Sequence, residues 1–296
     1  MIIQWYPGHM AKAKRMLQEN LKLVDIVAEI IDARAPLASR NPDFESLFRR
    51  KGRIVLLNKA DLADPEKNKQ WVTYYEKLGI RAVCIASTGN SGKRLALSLM
   101  EQSAREKTEK MLEKGIRKTV RVMVVGIPNV GKSTFINRIA GESRAKTGDR
   151  PGVTKGKQWV KAGEYLELMD SPGLLWPKLE NEKMAQHLAY LGSVNDEILD
   201  IEALAEGLLQ ELMLSYPAAV TERYPKISEG ETRLEGVARS RGFLLRGGLT
   251  DTERAARIVL DEFRGGKLGR ITLEVPETTP DACAAETPET TEDSEE

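Results

Sequence analysis

The sequence predicts an α/β domain built on a mostly parallel sheet, followed by a small all-α domain. Three observations lead there. Through residues 1–176, short β-branched runs alternate with longer amphipathic stretches, the texture of strand–helix units feeding a parallel sheet. Beyond Trp176-Pro177 strand signals become rare, and Ile201, Leu204, Leu208 and Leu212 recur at helical spacing. The length of 296 residues suits about two domains of ~100–200 residues each, enough to bury a sizeable core.

Taken in order, the strands are expected at Ile26–Ile31, Arg53–Leu57, Ala82–Ala86, Val120–Val125, Lys157–Lys161 and Tyr165–Met169. Helices are expected at Pro65–Leu78, Lys93–Lys114 and Lys132–Ala140. In the second domain, residues 177–273, Thr250 followed by Glu253 reads as a capping box, in which each side chain satisfies a backbone N–H at the helix start. Ala256, Val259, Leu260 and Phe263 then form an apolar stripe that should stop at Gly265-Gly266. The remaining stretch, 274–296, is rich in Thr, Pro, Glu and Ala; it offers little apolar surface to offset its ordering entropy and is expected to be disordered.

Composition narrows the function classes. Hydrophobic residues at 41% and charged residues at 30% describe a soluble globular chain. No uncharged apolar run approaches the ~18 residues a membrane span requires. Met1–His9 lacks a basic start followed by an apolar run, so a cytoplasmic protein is expected. Cys84 and Cys283 are too few for a disulfide framework or a zinc site. The net charge of +1 hides an asymmetry: nine acids and no Lys or Arg lie between Glu274 and Glu296, so the rest of the chain is strongly basic. A basic body suggests a polyanionic partner such as nucleic acid.

The sharpest motif is Gly126-Ile127-Pro128-Asn129-Val130-Gly131-Lys132-Ser133, which fits G-x-x-x-x-G-K-[ST] between an apolar run and a helical stretch. Its glycines let backbone N–H groups curl around phosphate oxygens, and the helix N-terminus adds positive potential. Val130, Gly131 and Thr134 complete the cradle, Lys132 would contact the β- and γ-phosphates, and the Ser133 hydroxyl would hold Mg²⁺. Asn58-Lys59-Ala60-Asp61 names the base. A carboxylate at Asp61 can accept from N1–H and N2–H₂ of guanine, a donor pair that adenine lacks, so GTP/GDP is the expected ligand. Asn58 would tie this loop to the guanine edge and to the phosphate loop, while the Lys59 stem covers the base. Ser87 and Thr88 are candidate donors to guanine O6.

Downstream, Asp170-Ser171-Pro172-Gly173 closes a strand. There Asp170 would reach Mg²⁺ and the Gly173 N–H would sense the γ-phosphate. Thr154, in the loop Asp149–Thr154, is a further candidate Mg²⁺ ligand. In ordinary small GTPases the base reader follows the phosphate loop; here it lies more than sixty residues ahead of it. The prediction is therefore a circularly permuted P-loop GTPase domain. Permutation need not disturb the site, because ligand loops of an α/β sheet emerge at the carboxyl edge whatever the chain order.

These motifs, with Trp5-Tyr6-Pro7-Gly8-His9-Met10, Asp32-Ala33-Arg34-Ala35-Pro36, Pro151–Thr154 and Gly265–Arg270, resemble those of the circularly permuted GTPases that assemble ribosomes. The resemblance covers nearly everything except the acidic tail. It implies GTP hydrolysis in the cytoplasm and association with a late precursor of the large ribosomal subunit, through ribosomal RNA and ribosomal proteins. It also implies stimulation by that particle, and the protein is expected to be a monomer away from it. Leu174 stands where many small GTPases place a Gln that orients the attacking water, and the resemblance offers His9 as the substitute. It also makes Asn129 a candidate K⁺ ligand. The catalytic set is then His9, Lys132 and Thr154. A nucleotide-gated RNA-binding scaffold with negligible turnover is the alternative reading. Arg233, Arg239, Arg241, Arg246, Arg254, Arg257, Arg264, Lys267 and Arg270 are candidate phosphate contacts on RNA, some of them ordinary surface charges. His187 is expected at the surface, Cys84 in a core, and Arg49-Arg50-Lys51-Arg53 at a solvated helix end.

Overall fold

The computed structural model describes residues 15–49, 51–87, 89–113, 115, 119–141, 159–162, 165–171, 173, 181–228 and 230–276. After a helix over 15–21 (α1), the chain forms β1 (Ile26–Asp32), α2 (Asp43–Phe48), β2 (Gly52–Asn58), α3 (Pro65–Lys77), β3 (Arg81–Cys84) and α4 (Asn90–Leu112). Next come β4 (Val120–Val125), α5 (Lys132–Ala140), β5 (Trp159–Lys161) and β6 (Leu166–Asp170). The helices α6 (Glu182–Tyr190), α7 (Ile201–Ser215), α8 (Pro217–Arg223), α9 (Arg233–Arg241) and α10 (Thr252–Arg264) complete it, with one 3₁₀ turn at Asp196–Ile198.

The six strands make one sheet in the order β3-β2-β1-β4-β6-β5, parallel except for β5 against β6. The central strands are apolar along their length because helices cover both faces of a parallel sheet. All seven residues of β1 are buried. Of its two acids, Glu29 is tolerated in mid-strand because Arg53 from β2 reaches it, with Nε 3.2 Å from Oε2. Lys51 likewise turns inward and donates to the Val24 carbonyl at 2.7 Å. The expected solvated helix end is thus corrected for Lys51 and Arg53, while Arg49 is exposed. Cys84 ends β3 half-buried, its thiol pushed up to about 11 by burial.

Strand order decides where the site forms. β1 lies between β2 and β4, so the carboxyl ends of β2, β1, β4 and β6 fall side by side, with Asp32 opposite Asn58 and Val124 opposite Asp170. One apolar cluster under the sheet, including Ile30, Val124 and Phe135, continues through Leu188 and Leu208 to Val259 and Phe263.

Helix starts follow their caps. The Asp64 carboxylate accepts from Glu66 N and Lys67 N ahead of Pro65 at the first turn of α3. At α10 the expected capping box is corrected. Thr250 is held in a β-bridge with Leu244, so the cap falls one residue later, on Asp251, which accepts from Arg254 N. A capping box does form at α9, between Thr232 and Glu235.

An expectation about the end of the chain and one about His187 are also corrected. Residues 271–276 run back over the first half of the molecule: Ile271 N donates to Leu62 O at 3.0 Å and Leu273 N to Arg34 O at 2.7 Å. Glu274, expected in the disordered tail, is buried, its carboxylate accepting from Leu37 N at 2.6 Å and Ala38 N at 3.1 Å. Two loop N–H groups make it part of the folded body; 277–296 lie outside the described residues. His187, expected at the surface, is 1% exposed between two carboxylates. Its Nδ1 lies 2.8 Å from Glu274 Oε1 and its Nε2 3.0 Å from Glu211 Oε1. Burial alone would lower its pKa, but the two acids outweigh burial and raise it to about 9.

Candidate guanine-nucleotide site

The phosphate loop leaves β4 at Gly126 and enters α5 at Lys132. Two of its glycines are required by close approach. A Cβ at Gly126 (φ +152°) would stand 2.4 Å from Ile30 O, and one at Gly131 (φ +95°) would stand 2.4 Å from Asn58 Nδ2. The second contact is informative, because the residue excluding a side chain from the phosphate loop belongs to the base reader.

Asn58 joins the two motifs. Its Nδ2 donates to Val130 O at 2.7 Å, while its Oδ1 accepts from Ser87 N at 3.0 Å and from Ser87 Oγ at 2.7 Å. Lys59 reaches the same loop, Nζ donating to Asn129 O at 2.8 Å. Asp61 sits exposed in the turn that follows. The Ser87 expectation is corrected: its N–H and hydroxyl are both committed to Asn58, so it buttresses the base reader rather than facing guanine O6.

On the phosphate side, Lys132 is buried, and its ammonium donates to Ile127 O at 2.7 Å. Burial pushes its pKa down to about 8, against the opposing pull of Asp170. Ser133 Oγ donates to Asp170 Oδ2 at 3.3 Å, which places a hydroxyl and a carboxylate together beside the cradle. Gly173 packs against Pro128 and Lys132, and Thr134 is exposed one residue further along α5. His9, Thr88, Thr154 and Leu174 lie outside the described residues.

Two groups of functional interest were given no role by motif chemistry. Asp32 and Arg34 form a buried pair at the end of β1, with Arg34 Nη2 2.8 Å from Asp32 Oδ2. The Asp32–Pro36 motif at the end of a fully buried strand was the available signal. Burial alone would raise the Asp32 pKa, but the Arg34 and Lys59 cations outweigh it and hold the carboxyl well below its usual range. Lys59 in turn is pushed down by burial, against the pull of Asp32. The turn after α6 also touches the phosphate loop. Asn129 Nδ2 donates to Gly192 O at 2.5 Å and Ser193 Oγ donates to Pro128 O at 3.0 Å.

The basic residues of the helical segment are mostly engaged internally. Arg233 pairs with Glu206, Arg239 with Glu231, Arg241 with Glu262, Arg257 with Glu253 and Arg264 with Asp196. Arg254 lies over the Phe243 ring at 4.3 Å. These six therefore already have partners within the chain, Arg257 in a largely exposed pair along one helix. Arg246, Lys267 and Arg270 are exposed and have no ion pair among the described residues.

A parallel sheet whose carboxyl edge joins a G-x-x-x-x-G-K-S cradle to an Asn-Lys-x-Asp loop defines a P-loop GTPase, here with the base reader ahead of the cradle by circular permutation. The family model described as 50S ribosome-binding GTPase matches residues 121–213. Ribosome biogenesis GTPase A of Bacillus cereus is 45% identical over 281 residues, covering 94% of this chain and 95% of the relative. The protein of that name from Thermotoga maritima is 34% identical, covering 93% and 95%. A GDP-bound YlqF structure aligns with a TM-score of 0.64 at 30% identity, covering 89% of this chain and all of that one. A GNP-bound YlqF from T. maritima gives 0.62 at 31% identity, covering 90% and 99%. The chain belongs to the ribosome biogenesis GTPase A family. It is a GTPase that binds guanine nucleotides, which sets aside the scaffold without turnover. No described helix is long and apolar enough to cross a membrane.

Proposed function

We propose that this protein is a cytoplasmic assembly factor that binds a late precursor of the large ribosomal subunit in its GTP form and leaves after hydrolysis. The supporting observation is the pair of contacts from Asn58 and Lys59 to the phosphate loop, which bring base reader and cradle around one nucleotide. Asp61 then selects guanine and Lys132 neutralises the β- and γ-phosphates. Lys132 is suited to this because a buried cation gains most from meeting an anion.

Ser133 and Asp170 fit Mg²⁺: both are hard oxygen donors, and among the described residues no group of three or more His, Cys, Asp or Glu could hold a metal unaided, so nucleotide and water would complete its shell. Mg²⁺ would supply charge stabilisation at the transferring phosphoryl group. Asn129 spends its amide nitrogen on Gly192 and offers its oxygen to a K⁺ ion. Thr154 is assigned as a further Mg²⁺ ligand and His9 to orienting the attacking water.

The Asn129–Gly192 and Ser193–Pro128 contacts give the helical segment a direct hold on the cradle, so that a change at the γ-phosphate can be felt there. Arg246, Lys267 and Arg270 are the best placed of the basic residues to meet ribosomal RNA. The test is co-sedimentation with subunit precursors in GDP and in a non-hydrolysable GTP analogue, paired with single-turnover hydrolysis. Retention only with the analogue, and faster turnover on the particle, are expected; nucleotide-independent binding would refute the release step.

A further inference from the structure

Asp32 belongs neither to the phosphate cradle nor to the base-reading turn, yet it is 1% exposed and holds two cations. It ends β1 opposite Asn58. Its Oδ1 accepts from Arg34 N at 3.1 Å and Arg34 Nε at 2.9 Å; its Oδ2 accepts from Arg34 Nη2 at 2.8 Å and lies 2.9 Å from Lys59 Nζ. Arg34 is itself fixed: Nη1 donates to Phe263 O at 3.3 Å and Arg264 O at 3.1 Å, and its guanidinium lies 5.3 Å from the Phe263 ring. The carboxylate is therefore a rigid post, set by the end of α10.

Lys59 is what the post holds. Its backbone is left-handed at φ +59°, uncommon for a residue with a side chain, and its ammonium is fixed between Asp32 and Asn129 O. With both ends tied, the four-carbon stem has one path, across the mouth of the site between base reader and phosphate loop. Remove the Asp32 charge and Lys59 faces the Arg34 cation without a counter-ion, which favours swinging the ammonium out to water.

We propose that Asp32 is a positioning residue for guanine-nucleotide binding, acting through Lys59 by holding its stem where the base will lie. The inference rests on Asn58–Asp61 being the base reader. A double-mutant cycle tests it, with N-methylanthraniloyl-GDP titrated by fluorescence against the full chain, Asp32→Asn, Lys59→Ala and the double variant.

Asp32→Asn should weaken binding by about tenfold when Lys59 is present and by less than about twofold in the Lys59→Ala background, because residues that act as a unit are non-additive. A merely structural Asp32 would lose equally in both backgrounds; that result, or no loss from Asp32→Asn, overturns the proposal. Should Asp32→Asn not fold, Asp32→Glu displaces the charge by one methylene and is held to the same pattern. Lys59→Ala binding as tightly as the parent would remove the intermediary and the proposal with it, while the base-reader reading falls separately, if Asp61→Asn keeps the parent's affinity for guanine nucleotide.

Discussion

His187 makes the fold pH-sensitive in a calculable way. Its ring is enclosed between Glu211 and Glu274, and its pKa rises from an ordinary 6.5 to about 9. A group raised on folding contributes stability that is complete below the unfolded value and lost as pH climbs through the folded one. By linkage that rise is worth about 3 kcal/mol, present in full below about pH 6.5 and gone above about pH 9. The perturbation is His187→Gln, which keeps hydrogen bonding and removes the charge. Urea unfolding of parent and variant at intervals from pH 6 to pH 9.5 isolates the contribution, since other titrating groups are common to both. The stability gap should be largest at the acid end and shrink steadily toward pH 9.5. A gap that stays constant over that range would refute the reasoning, because it would mean that folding leaves the pKa of the ring unshifted.

Three further outcomes are expected. Gly131→Ala puts a Cβ 2.4 Å from Asn58 Nδ2 at φ +95°, so it should cost about 1–2 kcal/mol in backbone strain alone and also weaken GDP binding; unchanged unfolding and titration curves would contradict the close approach. Asp61→Asn should lose GTP and gain xanthosine triphosphate in competition titrations, since the amide then donates where the carboxylate accepted. Lys132→Ala should abolish tight nucleotide binding while leaving the nucleotide-free protein at least as heat-stable, because it removes a buried ammonium whose pKa has fallen to about 8; a large drop in Tm would assign Lys132 to the fold instead.

What could be read in advance follows from how local each signal is. Val120–Val125 and Lys132–Ala140 appear with the expected bounds, because a buried parallel strand and an amphipathic helix advertise themselves within a few residues. Asn58, Gly131 and Lys132 were legible because phosphate and guanine impose fixed spacings. His187 was not, since the carboxylates that enclose it come from positions 211 and 274, one beyond the last helix and the other in another helix. Ser87 was misread for a related reason: a turn that can donate to a ligand can equally donate to a neighbouring Asn. The arginines of α9 and α10 show the same effect, because a basic stripe on paper is blind to the acids that face it in space.

The strap at residues 271–274 has a consequence for synthesis. Leu273 closes onto Arg34 and Glu274 onto Leu37 and Ala38, across some 240 intervening residues. A chain emerging from the exit tunnel N-terminus first has its opening strands available long before the segment that seals them exists. Until residues 271–274 have left the ribosome, the loop after the first strand stays uncovered, and a product truncated before them would leave that seam open to proteases.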